Sequence, residues 1–333
     1  MTLSAEGVVP PAIRGRAQAA RLSYRVTVSA VLDIISIARR GRNVLDTLLL
    51  STITQANIAP VNQQGDLQVA YAGADKAPPD EIRRPISVNA LAASLGLPFE
   101  TVRRRVKGML AAGDCVLRDG GLVAPAETLS TPEHVAALGG VYERLRAWYY
   151  DMRDLDLIGD LPPPTVKLDA QTFPIRTVAR LVTEFNLRLI ERLMAYQGDA
   201  INVLITLETF RANTEAFNTR LQGGEGFEAA DLIPDRLRTP ISASALSRKL
   251  GLPTETVRRH VEHLIAAGPL RRTPGGLILT SEVLAEPRAL AAIGETLGNL
   301  QRLFASLSQL GVLALWDSLN PRQAQPAAVS QRA

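Results

Sequence analysis

The chain has 333 residues, of which 46% are hydrophobic, and a formal net charge of +4, which predicts a globular protein long enough for two domains rather than a disordered chain. One cysteine, Cys115, and three histidines exclude a disulfide framework and a thiolate metal cluster. Because no stretch has the composition of a signal peptide or a bilayer span, we expect a cytoplasmic protein with no membrane partner.

In chain order, the first predicted unit covers residues 23–160 and follows a disordered arm over residues 1–22. The spacing of apolar residues predicts two helices, a loop containing Pro and Gly, a compact basic motif and a long closing helix. The predicted bounds are 26–40 and 44–59 for the helices, 60–84 for the loop and 85–125 for the motif.

The second predicted unit covers residues 175–318 and repeats the same order. Its predicted parts are helices near 175–196 and 200–221, a loop over 222–239, a motif over 240–280 and a closing helix. A Pro-rich linker over residues 161–174 is expected to act as a stiff spacer, because three consecutive prolines cannot continue a helix. Residues 319–333 are expected to be a disordered tail.

The two motifs are copies of each other. Residues 85–129 and 240–284 are identical at 23 positions without a gap, and they share the string L-G-L-P-x-E-T-V-R-R. Gly96 ends a short helix, Pro98 suits the first turn of the next helix, and Gly113 ends that second helix. Weaker similarity continues on both sides of the motif, so the sequence indicates duplication of a whole unit.

A β-hairpin is predicted after the second helix of each motif. Short apolar segments flank the turn Arg118-Asp119-Gly120-Gly121 in the first copy and Thr273-Pro274-Gly275-Gly276 in the second. Segments 85–86 and 240–241 are expected to add a third strand. The predicted fold class is therefore mainly α with small β-wings (α+β): two tandem winged-helix units in a pseudo-two-fold arrangement, each with extra flanking helices.

Basic charge is concentrated in the two motifs. The segment from Arg83 to Arg118 carries a net charge of +5 and the segment from Arg236 to Arg272 carries +6, which leaves −7 for the rest of the chain. Such clustering is typical of a surface that binds a polyanion, although a solvated helix face is the simpler alternative.

The second helix of each motif has a pattern suited to DNA recognition. Val102 and Val106 lie on one predicted stripe facing the core, and Glu100, Arg104 and Lys107 lie on the opposite face. Arginine can donate two hydrogen bonds to guanine, and glutamate can accept one from cytosine. The alternative is an intrahelical salt bridge between Glu100 and Arg104, which would stabilise the helix by only about 0.2 to 0.5 kcal/mol.

The string Glu-Thr-Val-x-Arg after a Leu-Gly-Leu turn resembles the recognition helix of the catabolite activator protein family and, more loosely, those of IclR and MarR regulators. The resemblance covers about 45 residues in each half. It implies that four residues contact bases and that two threonines contact phosphate: Glu100, Arg104, Glu255 and Arg259, with Thr101 and Thr256. Phosphate or wing contacts are expected from nearby residues: Arg103, Arg105, Lys107, Arg118, Arg258, His260, Arg271 and Arg272. The cyclic-nucleotide β-roll of that family has no counterpart here, so its effector chemistry is not implied.

The two copies differ on the helix expected to contact DNA. Arg105, Lys107 and Gly108 of the first copy correspond to His260, Glu262 and His263 of the second. This predicts an unequal pair that either recognises an asymmetric operator or combines one strong with one supporting helix. Covalent duplication could also place two recognition helices about 34 to 36 Å apart, the spacing of successive major grooves.

The sequence contains no P-loop, dinucleotide-binding turn, nucleophile elbow or metal-binding His-Glu pair, so we expect neither an enzyme nor a cofactor. His260 and His263 have no supporting ligand, which argues against a metal site. The aromatic run Trp148-Tyr149-Tyr150 is expected to pack between units or chains rather than line a ligand pocket.

The predicted function is a sequence-specific transcriptional regulator of bacterial type, cytoplasmic and associated with the nucleoid. Its expected partners are double-stranded DNA and, in a homodimer, a second copy of the chain; the sequence does not identify an effector. The alternatives are a tandem winged-helix subunit for protein assembly or chromosome maintenance, or a replication initiator.

Overall fold

The computed structural model describes residues 11–168, 173–222 and 232–319. Within these ranges the fold is mainly helical, with two antiparallel two-stranded sheets, which agrees with the predicted α+β composition. The elements that we assign to the first unit are α1 (Pro11–Arg39), α2 (Val44–Asn57), α3 (Ala59–Gln63), α4 (Gly65–Ala70), α5 (Val88–Ser94), α6 (Phe99–Ala111), β1 (Val116–Arg118), β2 (Gly121–Val123) and α7 (Pro132–Asp154). Those of the second unit are α8 (Ile175–Gln197), α9 (Ala200–Gln222), α10 (Ala243–Leu250), α11 (Thr254–Ala266), β3 (Leu270–Thr273), β4 (Gly276–Leu279), α12 (Ser281–Ala285), α13 (Pro287–Gln309) and α14 (Val312–Ser318).

Both motifs contain the predicted sequence of helix, turn, helix and hairpin. The hydroxyl of Ser87 accepts a hydrogen bond from the amide of Ala90 at 3.1 Å and caps α5, as a serine before a helix is expected to do. Ser242 caps α10 in the same way. The expected third strand is present as single bridges, Ile86 with Leu122 in the first unit and Ile241 with Leu277 in the second.

A buried asparagine in each unit, at the end of α2 and in the interior of α9, ties a helix to the hairpin. Asn57 is fully buried; its Nδ2 donates to the carbonyls of Arg84 at 2.8 Å and Leu122 at 3.0 Å, and its Oδ1 accepts from the amide of Ala124 at 2.9 Å. Asn213 makes the three equivalent bonds in the second unit at 2.7, 3.2 and 2.8 Å. Since the bonds satisfy buried backbone groups, each asparagine fixes its hairpin relative to the helices.

The long helices form a closed ring in which α1 packs on α7, α7 on α8, α8 on α13, and α13 on α1. Two of these contacts join different units, and one hydrophobic cluster includes residues from both. Contrary to the sequence expectation, the units are therefore not separate globular halves. The reason is that helices such as α8 bury side chains around most of their circumference and need neighbours on several sides.

The aromatic run on α7 lies at one of these contacts between units. The Trp148 ring packs 5.7 Å from the Phe185 ring and 5.8 Å from the Phe304 ring, measured between centroids. The Tyr150 hydroxyl donates to the carbonyl of Trp316 at 2.9 Å. The prediction that this run packs between the units is confirmed.

The turn inside each motif packs against the helix–helix corner of the other unit. At Gly96, where φ is +61°, an added Cβ would lie 2.7 Å from the carbonyl oxygen of Gly198, in the corner between α8 and α9. The amide of Ala200 also donates to the carbonyl of Leu95 at 3.2 Å. In the reciprocal contact, Arg39 at the end of α1 donates to the carbonyl of Lys249 at 2.5 Å.

Several predicted boundaries need correction. Helix α1 begins at Pro11, so residues 11–22 are helical rather than a disordered arm; this segment is rich in Ala and Arg, which favour helix. The loop over residues 60–84 contains the short helices α3 and α4. Residues 1–10, 169–172, 223–231 and 320–333, which include the predicted tail, lie outside the described residues.

The linker does not act as a free spacer. The amides of Thr165 and Val166 donate to the carbonyl of Gln309 at 2.8 and 3.2 Å, and Ser308 Oγ donates to the carbonyl of Pro162 at 2.7 Å. The described part of the linker is therefore attached to the end of α13. In the described ranges, none of the helices combines the length and the apolar character needed to cross a bilayer.

Candidate nucleic-acid interface

The candidate recognition helices are α6 and α11, and each buries one stripe against its own unit. Val102, Val106 and Met109 are buried on α6, and Val257, Val261 and Leu264 are buried on α11. The predicted core stripe is confirmed in both copies. Helical periodicity therefore directs the residues between these positions outward, and most of them are exposed.

The exposed glutamate of each helix pairs with the arginine three residues later. Glu100 accepts from Nε and Nη2 of Arg103 at 2.9 and 2.7 Å, and the two side chains are 70% and 63% exposed. Glu255 and Arg258 form the same pair, and the hydrogen bonds from Arg258 lower the pKa of Glu255. The expected alternative of a salt bridge to Arg104 is wrong in its partner, because spacings of three and four residues both bring side chains together on a helix.

This pairing leaves a second arginine on each helix available. Arg104 and Arg259 are exposed, and neither forms an ion pair with any residue in the part of the chain that the structure describes. The same holds for Lys107, one turn after Arg103 on α6. Glu262, which stands at the equivalent position on α11, instead pairs with Arg272 of the second hairpin. The first helix therefore presents more uncompensated positive charge than the second.

Two of the predicted phosphate contacts face the protein. Arg105 Nη1 donates to Asp46 Oδ1 at 2.7 Å and to Asn43 Oδ1 at 3.2 Å, and its side chain is only 21% exposed. These two partners lie in the first turn of α2 and its cap. Arg105 therefore anchors α6 to its scaffold, and we remove it from the expected interface.

His260 occupies the equivalent position on α11. Its Nδ1 lies 2.8 Å from Asn202 Oδ1 and 3.7 Å from Asp199 Oδ2. Burial lowers the pKa of His260, and Asp199 opposes that shift. The residue is thus a scaffold contact and is likewise removed from the expected interface. Helical spacing predicted that Arg105 and His260 are exposed. Both residues border the core stripe, where the direction of a side chain also depends on the neighbouring helix.

The remaining predicted contacts lie at the edges of the recognition helices. Thr101 and Thr256 are half-buried. Arg118 lies 3.5 Å from Asp80, and Arg271 lies 2.6 Å from Asp235, so both hairpin arginines have a carboxylate partner. These ion pairs reduce the charge that the hairpins offer to a polyanion.

The two hairpins present different chemistry. Leu117 is 66% exposed and Val116 is 37% exposed on the first hairpin, where the second has Arg272 and Arg271. Phe99, at the start of α6, is also 42% exposed. The first unit therefore combines a basic recognition helix with an apolar hairpin, and the second unit has basic residues on both.

The two recognition helices belong to one compact block. Gly96, just before α6, contacts Asp199, and Asp199 reaches the imidazole of His260 at the middle of α11. Adding covalent lengths to these contacts places the Cα atoms of Gly96 and His260 within about 16 Å of each other.

Sequence analysis did not select the basic pair in the last turn of α10. Arg248 is exposed, while Lys249 pairs with the buried Glu208 at 3.1 Å. The sequence signal that could have identified them is the presence of two adjacent basic residues immediately before the turn that the two motifs share. In the ranges described, no group of three or more His, Cys, Asp or Glu is arranged to hold a metal ion. Burial raises the pKa of Cys115 to about 11, which fits a packing role.

Comparisons of the chain with protein-family models, with curated proteins and with solved structures each returned no match.

Proposed function

We propose that this protein is a sequence-specific DNA-binding transcriptional regulator built from two tandem winged-helix units. The observation that carries the proposal is the pair of equivalent arginines, Arg104 and Arg259, which are exposed and without an ion-pair partner among the described residues. An unpaired guanidinium on an exposed helix face can form bidentate hydrogen bonds to guanine without first breaking a salt bridge.

The neighbouring residues support a division of roles. Glu100 and Glu255 are held by Arg103 and Arg258, which orients each carboxylate at the first turn of its helix. A carboxylate held in this way can accept from the amino group of cytosine, and its arginine partner remains close to the phosphate backbone. Lys107 extends the positive face of α6 along the helix and is suited to a phosphate contact.

The proposal predicts that the first recognition helix contributes more to affinity than the second. Lys107 adds a positive charge to α6, whereas Glu262 on α11 is negative and occupies Arg272. Affinity that depends on phosphate contacts falls with salt in proportion to the number of phosphates neutralised. We therefore expect an asymmetric site in which one half is bound more strongly.

Selection of bound sequences from random DNA, followed by affinity measurements at several salt concentrations, tests the proposal. Replacement of Arg104 with Ala is expected to reduce discrimination at one base pair by about 1 to 3 kcal/mol, and replacement of Lys107 with Ala to lower the salt dependence by about one phosphate. Arg188→Ala, on the exposed side of α8, serves as the control and is expected to change neither. Absence of any sequence enrichment together with salt-independent binding would refute the proposal.

A second candidate function is protein assembly through the first hairpin. The exposed Leu117 and Val116 favour it, because a hairpin that approaches phosphates gains nothing from apolar side chains. The same experiment separates the two candidates. If Leu117→Ser leaves DNA affinity and sequence preference unchanged but Arg104→Ala abolishes the preference, DNA recognition by α6 is supported and the hairpin is free for another partner.

A further inference from the structure

A cavity of about 150 Å³ lies where the first unit meets the second. Helices α1, α2 and α7 form one side of it, and the N-terminal half of α8 forms the other. Most of the wall is apolar, but six basic residues line the cavity: Arg40, Arg42, Arg83, His134, Arg176 and Arg180. No Asp or Glu is among the described residues that line it.

The two arginines from α8 are buried without an ion-pair partner in the described ranges. Arg176 donates to the carbonyls of Ala74 at 2.9 Å and Leu129 at 3.1 Å, and Arg180 donates to the carbonyl of Tyr71 at 2.7 Å. Backbone carbonyls satisfy some of the N–H donors but do not neutralise the positive charges. Burying a charge in this way costs free energy, which an anion in the cavity would recover.

A third arginine contributes an unsatisfied donor. The Arg83 side chain is 0% exposed; Nη2 donates to the carbonyl of Pro78 at 2.7 Å, and Nε lies 3.2 Å from Asp80. Its Nη1 is buried without a hydrogen-bond partner, as are Nδ1 of His134 and Oδ1 of Asn186, which also line the cavity. The wall therefore offers hydrogen-bonding groups that no described residue uses.

The cavity has a positive electrostatic field. Burial, together with Arg40, Arg176 and Arg42, lowers the pKa of His134 to about 4. Burial and then Arg176 lower the pKa of Arg180 to about 10. Carboxylates behind the wall offset part of this charge: Asp114 pairs with Arg42, Asp80 lies beside Arg83, and Asp75 acts on Arg176.

The reciprocal interface, where α1 of the first unit meets the second unit, contains the same arginines but no comparable space beside them. Arg21, Arg25 and Arg238 follow the repeat of 155 residues that relates them to Arg176, Arg180 and Arg83. Tyr24 and Phe210 occupy the positions of Ala179 and Thr54, with their rings 5.4 Å apart. These rings divide the space into a part of about 40 Å³ beside the arginines and a separate part of about 170 Å³. The smaller part has room for little more than water.

We infer that the cavity beside Arg176 and Arg180 binds a small carboxylate whose apolar body is about the size of one aromatic ring. An apolar cavity of this volume is known to hold benzene, so the body fits against the aliphatic wall. The carboxylate is placed at the end formed by Arg83, Arg176 and Arg180, where planar guanidinium groups suit it. The inference goes beyond the proposed function and does not depend on DNA binding. It gives one site per chain.

Calorimetric titration of the full chain with benzoate tests the inference, with hexanoate as a second probe and benzyl alcohol as the uncharged control. We expect one benzoate per chain and an affinity for benzyl alcohol at least about tenfold lower, because the alcohol lacks the charge-assisted hydrogen bonds. Failure of both carboxylates to bind at millimolar concentration, or equal affinity for benzyl alcohol, would overturn the inference.

Two variants locate the site. The double substitution Thr54→Phe and Ala179→Tyr fills the cavity with the side chains that the reciprocal interface already accommodates, so folding should be retained and benzoate binding lost. Arg180→Gln is expected to weaken benzoate binding at least about tenfold without affecting benzyl alcohol, while the equivalent Arg25→Gln on α1 leaves both unchanged. Benzoate binding that survives the cavity-filling substitutions would show that the ligand lies elsewhere and would overturn the assignment, whatever the stability of the arginine variants.

Discussion

The buried asparagines at the base of the hairpins allow a quantitative test of the fold. In Asn57→Ala, the three side-chain hydrogen bonds are lost, but the backbone groups that they satisfy are not equally affected. The carbonyl of Leu122 keeps a bond from the amide of Ile86 at 3.2 Å. The amide of Ala124, whose residue is fully buried, loses its only side-chain partner, and the carbonyl of Arg84 lies in an exposed residue within reach of water.

The expected cost follows from this inventory. A buried N–H group without a hydrogen-bond partner, here that of Ala124, costs about 1 to 3 kcal/mol. The carbonyls of Leu122 and Arg84, which keep another partner or reach water, each add less than that. We therefore expect Asn57→Ala to lower the free energy of unfolding by about 2 to 4 kcal/mol. Asn213→Ala should cost the same, since Asn213 makes the equivalent bonds and the carbonyl of Leu277 likewise keeps a bond from Ile241. Asn89→Ala, on the exposed side of α5, is the control and should change stability little.

Urea unfolding followed by the fluorescence of Trp148 and Trp316, both fully buried, measures these changes. Because one hydrophobic cluster joins the units, Asn57→Ala and Asn213→Ala should each move a single shared transition. Hydrogen exchange at the amide of Ala124 should accelerate in the first variant. A loss below 1 kcal/mol for Asn57→Ala, or a loss no larger than that of Asn89→Ala, would contradict this account of the hairpin.

Three further predictions follow from local geometry. Gly96→Ala should cost about 2 to 4 kcal/mol and Gly113→Ala only about 1, because both have positive φ but only at Gly96 would the new Cβ meet a backbone oxygen of the other unit; comparison of their unfolding free energies isolates that contact. Burial lowers the pKa of His134 to about 4 in the folded protein. As the pH falls from 7 to 5, the imidazole of His134 therefore becomes protonated in the unfolded chain but stays neutral in the folded protein. Between pH 7 and pH 5 the free energy of unfolding of the wild type should fall by about 2 kcal/mol more than that of His134→Ala. Alanine is the chosen replacement because the second unit has Ala289 at the equivalent position. Equal losses of stability in the two proteins would contradict the lowered pKa. The thiol of Cys115, with its pKa raised to about 11, should react with a thiol reagent at pH 8 at least about a hundredfold more slowly in the native protein than in urea, and similar rates would show that it is accessible.

Local patterns predicted the parts of the fold that depend on neighbours in sequence. The apolar spacing on α6 identified Val102 and Val106 as core, and the positions of Gly96 and Pro98 identified the turn between helices. The arrangement of the units was not predictable in the same way, because periodicity shows that a helix face is buried without showing what covers it. The ring of α1, α7, α8 and α13 depends on contacts between elements distant in sequence, which for α1 and α13 lie more than two hundred positions apart.

The same limit applies to the candidate site. Sequence identified the exposed charged face of α6 but could not decide whether Glu100 pairs with Arg103 or Arg104, nor that Arg105 turns toward α2. Those outcomes depend on side-chain directions and on a neighbouring helix. One sequence feature belongs to the cavity: the arginines Arg176 and Arg180, four residues apart, repeat the spacing of Arg21 and Arg25. Their burial depends on the packing of the helices and could not be predicted from this spacing.

The joining of the two units through the helix ring has a consequence at low protein abundance. Two separate chains joined through such a ring would dissociate on dilution, and any activity that needed both units would then depend on concentration. Here the linker, attached to α13, makes the association intramolecular, with an effective concentration that is independent of copy number. A few molecules per cell would remain fully assembled, and binding curves should show no concentration threshold set by subunit association.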